Sequence, residues 1–247
     1  GRTGTVSDRE EAVIPGMPAL TLTSVIISKI KFMLTEIFTL YRDRWDFFLQ
    51  LMLQHITISL IAIVCAGVVG LCLGIFISRY RRSRSTILGL TNFIYTIPSI
   101  ALFGFLIPFS GIGNTTAIIA LTIYALLPMV RNTYTGIRNI DPEITEAARG
   151  MGSTPFQLLY RIELPLAFPV ILTGLRNMVV MTIALAGIAA FIGAGGLGVA
   201  IYRGITTNNP AMTVAGSLLI AVLALFTDGC VGRYESYIKK KRKMSRV

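Results

Sequence analysis

Long apolar stretches without charged residues alternate with short polar intervals along most of this chain. A helix that crosses the hydrocarbon core of a bilayer needs about 20 predominantly apolar residues. The pattern therefore predicts an all-α, polytopic membrane protein with five spans. The predicted spans cover residues 56–78, 87–107, 115–130, 174–192 and 211–231.

Glycine and proline positions within the spans predict how the helices pack and bend. Gly67, Gly70 and Gly74 lie three and four residues apart, which allows a neighbouring helix to approach closely. Pro98 removes one helical hydrogen bond, so the second span should kink or break within residues 95–99.

The segment between the last two spans contains few helix-favouring features. Residues 193–198, GAGGLG, predict a flexible turn at the outer surface. Residues 199–210 predict an interfacial or re-entrant segment, because Asn208-Asn209-Pro210 is a strong helix breaker.

The chain begins with a polar segment and an amphipathic one. Residues 1–18 are rich in polar residues, Gly and Pro, and are either an extramembrane tail or a remnant of cloning. Residues 19–48 predict an interfacial amphipathic helix, because Lys29 and Lys31 would be costly at the centre of a span.

The longest polar interval of the apolar region lies between the third and fourth spans. Asp141-Pro142 is a favourable helix start, since Asp caps free backbone N–H groups and Pro suits the first helical position. Gly150 and Gly152 predict the end of this helix. A second helix should begin at 153–155 and end at Leu164-Pro165, giving a rigid elbow of two short helices.

This interval resembles the EAA loop of the membrane subunits of binding-protein-dependent ABC importers. The matching positions are Glu146, Ala147, Ala148, Gly152, Ile162, Leu164 and Pro165. The resemblance implies that residues 140–165, here named the coupling elbow, form a cytoplasmic helix that sits in a groove of an ATPase. The alternative is an ordinary amphipathic loop helix between two spans.

A wider resemblance covers residues 49–232, which are similar to the five-helix permease core of a type I ABC importer. The osmoprotectant branch, which carries glycine betaine, carnitine or choline, is most similar in residues 94–108, 125–152 and 191–205. The family implies alternating access, with a second permease subunit, identical or paralogous, and an extracellular solute-binding protein. Two partner ATPase subunits would hold ATP and Mg, so no cofactor is expected on this chain.

The net charge of +11 at pH 7 is concentrated beside the ends of the apolar stretches. Four arginines lie within residues 79–84, and the basic tail, 233–247, has seven basic residues against one acidic residue. This distribution follows the positive-inside rule, and it argues against nucleic acid as the partner. It predicts that the N-terminus lies outside and that the coupling elbow and the C-terminus lie in the cytoplasm, and the resemblance implies a multi-pass protein of the bacterial plasma (inner) membrane.

The chain lacks the residue patterns of an enzyme. It has one histidine, no CxxC pair and no phosphate-binding loop, so we expect no catalytic residues, no metal site and no ATP hydrolysis by this chain. We expect the three cysteines to act as small residues that face lipid or the protein core. We also expect Asp228 to form an ion pair with a nearby Arg.

Four polar or kink-forming residues within the spans are candidates for a substrate pathway. They are Tyr95, Pro98, Ser99 and Tyr124. Aromatic faces attract quaternary ammonium groups by cation–π interaction, although a buried tyrosine in a bundle is commonly only packed and hydrogen-bonded. Two alternative functions stay open: a permease for methionine or another small zwitterion, and an ATPase-independent secondary transporter or channel.

Overall fold

In the computed structural model, the described part of the chain, residues 19–244, is built from helices and contains no strand. The helices are α1 Ala19–Asp43, α2 Trp45–Arg79, α3 Arg81–Thr96, α4 Ser99–Ser110, α5 Asn114–Arg138, α6 Pro142–Gly150, α7 Pro155–Gln157, α8 Leu164–Ala186, α9 Gly198–Thr206 and α10 Pro210–Met244. A π-helical turn, Leu158–Glu163, joins α7 to α8, and a 3₁₀ turn, Ile188–Ile192, follows α8. The predicted all-α class is confirmed. The predicted tail at 1–18 and the last three residues of the basic tail lie outside the described residues.

Within residues 19–244, four helices are long and apolar enough to cross a bilayer: α2, α5, α10 and the continuous helix Pro155–Ala186. The pair α3 and α4 adds a fifth crossing if both helices belong to one span, although they are bent by 103°. Their break falls at Ile97 and Pro98, which confirms the predicted break. A proline at this point ends one helix and starts the next, because it has no N–H to donate.

The helices extend beyond the predicted spans at most of their ends. The predicted span 56–78 lies inside α2, and the span 211–231 lies inside α10, which continues through the basic tail to Met244. A charged residue limits how deeply a helix lies in lipid, but it does not interrupt the helical backbone. At 1.5 Å per residue, α10 is about 52 Å long, against a hydrocarbon core of about 30 Å.

The fourth predicted span, 174–192, differs from the structure at both ends. The helix expected to end at Leu164-Pro165 instead continues through them, so that prediction is wrong. Pro165 lies at the start of α8, directly after the π-helical turn, where a residue without N–H is tolerated. At the other end α8 stops at Ala186, and residues 188–192 form the 3₁₀ turn.

The glycine-rich segment 193–198 is a tightly packed turn, so the expectation of a flexible one is wrong. Ala194 and Leu197 are buried, and a Cβ on Gly198 would collide with the carbonyl of Gly187. Two backbone N–H groups of the turn are bound by side chains of other helices: Gly195 N–H donates to Asn114 Oδ1, and Gly196 N–H donates to Gln54 Oε1. Because glycine has no Cβ, these residues allow the turn to pack closely against its neighbours.

The centre of the fold is α5, which lies between α2 and α8. At Gly70 and Gly74 of α2, a Cβ would come within 2.8 Å and 2.5 Å of the Cβ atoms of Met129 and Thr133 on α5. These distances confirm the predicted close approach. Helices in lipid gain little from the hydrophobic effect between them, so such contacts contribute much of their association.

The helix α1 packs on the first turns of α10. Ile37 is buried there, and the Tyr41 hydroxyl donates to the carbonyl of Ala215 at 2.7 Å. Phe32 and Phe38, on other faces of α1, are exposed. Its interfacial position stays a prediction.

We predict that Gly74→Ala lowers the thermal stability of the protein in mild detergent. Alanine favours a helix over glycine by roughly 1 kcal/mol, but the added methyl group overpacks the contact with Thr133, at a cost of about 1–3 kcal/mol. The matched control is Gly89→Ala on α3, where a Cβ would meet no atom within 4 Å. A Gly74→Ala midpoint equal to or above that of the control would contradict the close-contact interpretation.

Candidate functional sites

The first helix of the coupling elbow begins as its sequence predicts. Asp141 is the N-cap, and its Oδ1 accepts a hydrogen bond from the N–H of Glu143 at 3.0 Å. Pro142 follows in the first helical turn. These contacts fix the start of α6, and negative charge at Glu143 suits the positive end of the helix dipole.

The motif residues of the elbow divide between a surface and an interior. Glu146, Ala147, Gly152 and Pro165 are exposed, whereas Ile162 and Leu164 are half-buried. Ala148 is only 2% exposed, so it packs toward the rest of this chain. The small side chain of exposed Ala147 lets another protein approach the backbone of α6 closely at that position.

Gly152 makes the turn between the two helices of the elbow. Its φ is +83°, which glycine adopts without the steric cost that a Cβ imposes. The N–H of Ser153 donates to the carbonyl of Ala148 at 3.1 Å and closes the turn. Thr154 and Gln157 then start the next helix with a reciprocal capping box.

A patch of large exposed side chains lies on the elbow beside α6. Met151 is 80% exposed, Phe156 is 74% exposed, and Tyr160 is 66% exposed. The rings of Phe156 and Tyr160 are nearly parallel, with centroids 6.3 Å apart. Such a patch on a polar segment is typical of a protein interface. Sequence reasoning missed these residues, although large apolar residues inside a polar interval were a signal for them.

A buried ion pair connects the elbow to α2. Glu163, in the π-helical turn, has a side chain only 6% exposed, and both of its carboxylate oxygens accept from the guanidinium of Arg79. Arg79 is the last residue of α2. Because an unpaired buried carboxylate is costly, this contact fixes the start of α8 against the end of α2.

A second ion network joins α8 to α10. Arg176 donates to both oxygens of Asp228, at 2.6 and 2.7 Å, and to Glu235 at 3.3 Å. Glu235 is also bound by Thr173 and Lys239. The predicted pairing of Asp228 with an Arg is confirmed. These carboxylates hold the guanidinium of Arg176 between α8 and α10.

The structure separates the four pathway candidates. Tyr124 is buried, and its hydroxyl donates to the carbonyl of Ile97 at the break between α3 and α4. Pro98 is exposed beside that break and Ser99 is partly buried. Tyr95 is 48% exposed, and its ring lies 6.3 Å from that of Tyr124. Of the four, Tyr95 lines an open groove between helices.

This open groove, named the solute groove below, has a volume of about 550 Å³ between four helices. Its polar lining comprises Tyr95 of α3, Arg131 and Asn132 of α5, Asn177 of α8 and Asp228 of α10. The Tyr95 hydroxyl donates to Met181 Sδ at 3.4 Å, and Asn132 Nδ2 donates to the carbonyl of Pro128 at 2.7 Å. Sequence reasoning missed Arg131, Asn132 and Asn177, because pairing across helices cannot be deduced from one helix's pattern.

This arrangement, a multi-pass bundle with a helical elbow between two spans, is the one expected of the membrane subunit of a type I ABC importer. The family model for the inner membrane component of binding-protein-dependent transport systems matches residues 66–240. The chain belongs to this family, and is therefore a multi-pass inner-membrane protein.

Relatives and solved structures agree with that assignment. The chain is 41% identical over 213 residues to the glycine betaine/carnitine/choline transport system permease protein OpuCD of Bacillus subtilis, covering 85% of this chain and 93% of that protein. It is also 41% identical over 204 residues to the osmoprotectant import permease protein OsmW of Salmonella typhimurium, covering 81% and 95%. The fold matches the inward-facing methionine ABC transporter MetNI with a TM-score of 0.72 at 22% identity, covering 77% and 95%.

We predict that Arg79→Ala lowers the thermal midpoint in detergent more than Glu163→Gln does. The arginine variant leaves a buried carboxylate unpaired, at a cost of about 3–5 kcal/mol, whereas the glutamine variant removes that charge. Arg161→Ala is the matched control, since Arg161 is exposed in the same turn and forms no ion pair among residues 19–244. Equal midpoints for Arg79→Ala and Arg161→Ala would show that the pair does not hold the elbow.

Proposed function

We propose that this chain is the membrane-spanning subunit of an ATP-driven importer of glycine betaine, carnitine or choline. The observation that carries the proposal is the 41% identity with the permease OpuCD over 93% of that protein's length. The name of OsmW agrees with an osmoprotectant as the solute. The likeness to the methionine transporter has 22% identity and supports the fold alone, so it does not favour methionine.

In this proposal the chain acts within a larger assembly. A second permease subunit, identical or paralogous, completes the pathway, and an extracellular binding protein delivers the solute. Two ATPase subunits hold ATP and Mg, and their closure drives alternating access. The open side of the solute groove, which has polar side chains among membrane helices, supports a partner subunit there, because lipid would leave those groups unsatisfied.

The coupling elbow is the surface that meets the ATPase. Glu146 and Ala147 lie on the exposed side of α6. Gly152 sets the angle between α6 and α7. The exposed patch of Met151, Phe156 and Tyr160 adds apolar area beside them. Ala148, Ile162 and Leu164 pack against the chain itself, and Pro165 starts α8, so these four position the elbow.

The distribution of charge supports a cytoplasmic position for the elbow and the C-terminus. Arg79 binds Glu163 of the elbow, so the arginine-rich segment 79–84 lies at the elbow's end of the bundle. Glu235 binds Arg176 of α8, which places the basic end of α10 toward the same end. Cytoplasmic flanks of membrane proteins carry such an excess of Lys and Arg.

The solute passes along the groove that Tyr95 lines. An exposed aromatic ring attracts a quaternary ammonium group, and Tyr124 supports this ring from behind by an edge-on contact. Tyr124, Pro98 and Ser99 act indirectly, because they fix the break between α3 and α4 that presents Tyr95 to the groove.

Reconstitution of the complete importer in liposomes tests the proposed function. We expect ATP-dependent uptake of glycine betaine, carnitine or choline when the binding protein is supplied, and no uptake with ADP. Uptake of methionine but none of these three solutes would overturn the proposed solute class. Uptake that continues without the ATPase would overturn the ABC mechanism.

We predict that Gly152→Val abolishes uptake while the protein still accumulates in the membrane. A Cβ at Gly152 would have open space, so the cost arises from the positive φ, which a β-branched residue adopts poorly. Gly152→Asn is the control at the same position, because asparagine tolerates this conformation better and should retain uptake. Equal uptake by the valine variant and the unaltered importer would contradict the role of the turn.

A further inference from the structure

The charged groups that line the solute groove differ in whether they have partners. Asp228 is bound through both carboxylate oxygens by Arg176, which also reaches Glu235. Its charge is therefore compensated within the chain. Arg131 makes no ion pair or side-chain hydrogen bond among residues 19–244, and it is exposed in the groove. The groove thus presents one uncompensated positive charge.

Arg131 is separated from the aromatic part of the groove by a defined length of helix. Tyr124, whose ring contacts that of Tyr95, lies seven residues before Arg131 on α5, or about 10 Å along the helix axis. The flexible arginine side chain can shorten this separation by several ångströms. A ligand that spans the two groups would have a cationic head and an anionic end.

Two neutral amide side chains, Asn132 and Asn177, line the same groove as the aromatic ring and the arginine. The amide of Asn132 uses Nδ2 for the carbonyl of Pro128, which leaves its oxygen directed elsewhere. Asn177, on the facing helix, is exposed and makes no side-chain hydrogen bond among the described residues. Amides in this position can bind a hydroxyl or carboxylate oxygen without adding charge.

We propose that Arg131 binds the carboxylate of zwitterionic solutes while the quaternary ammonium group rests on Tyr95. This inference rests on the proposed function and extends it, because it makes Arg131 a determinant of specificity within the permease. Glycine betaine and carnitine have a carboxylate, and choline has none. Arg131 therefore assists the passage of the first two solutes and gives no such assistance to choline.

The test compares three solutes in the complete importer, reconstituted in liposomes with saturating amounts of solute-loaded binding protein. Saturation removes differences in the affinity of the binding protein, so the initial rate reports passage through the permease. Arg131→Gln should lower uptake of glycine betaine and carnitine about tenfold, the effect of losing one charge-assisted hydrogen bond, and leave choline uptake unchanged. Stimulated ATP hydrolysis should persist, which separates this effect from lost coupling.

Two further variants keep the test decisive. Arg131→Lys retains the charge without the two-pronged geometry and should give intermediate uptake of the two zwitterions. Arg233→Gln removes an exposed positive charge from α10, outside the groove, and should change none of the three rates. If Arg131→Gln slows all three solutes equally, or none, the inference is overturned while the proposed function stands. If the unaltered importer takes up none of the three, the proposed function fails first.

Discussion

The buried carboxylate of Glu163 is paired with the guanidinium of Arg79, and this ion pair connects the coupling elbow to the membrane bundle. A carboxylate with 6% side-chain exposure has little contact with water, so its pairing with Arg79 holds the end of α2 against the start of α8. α2 in turn is locked to α5 through Gly70 and Gly74. A displacement of the elbow that left α2 and α5 in place would therefore separate this ion pair.

Ion pairing also determines which charges remain available to a ligand. Where α8 meets α10, Asp228 and Glu235 are both ion-paired with Arg176. The groove therefore has no unpaired carboxylate within the described chain. A free carboxylate would favour cations such as choline, and would oppose the carboxylate of a zwitterion. The unpaired Arg131 has the opposite effect. In the proposed mechanism, the internal ion pairs thus affect specificity because they leave Arg131 as the unpaired charge of the groove.

Local chemistry made much of the fold predictable, whereas contacts between distant residues did not. The cap at Asp141, the turn at Gly152 and the break at Pro98 each depend on a few neighbouring residues, and the structure has all three. Sequence reasoning assigned Pro165 to a helix end, because it did not foresee that a π-helical turn would place proline at a new helix start. Four helices line the solute groove, and Tyr95 is the one polar lining residue that the sequence had indicated as part of a substrate pathway.

The helix from Pro155 to Ala186 is continuous. In the proposed mechanism it therefore connects the coupling elbow directly to the solute groove. Two short helices ending at Leu164-Pro165 would have delivered motion to the bundle through a loop, which absorbs it. A continuous helix transmits displacement along its length better than a loop does, although Pro165 and Pro169 donate no backbone hydrogen bond within this one. The same helix bears the exposed Phe156 at one end and, further along, Asn177 and Met181 of the groove. Movement imposed on the elbow would therefore change the width of the groove itself.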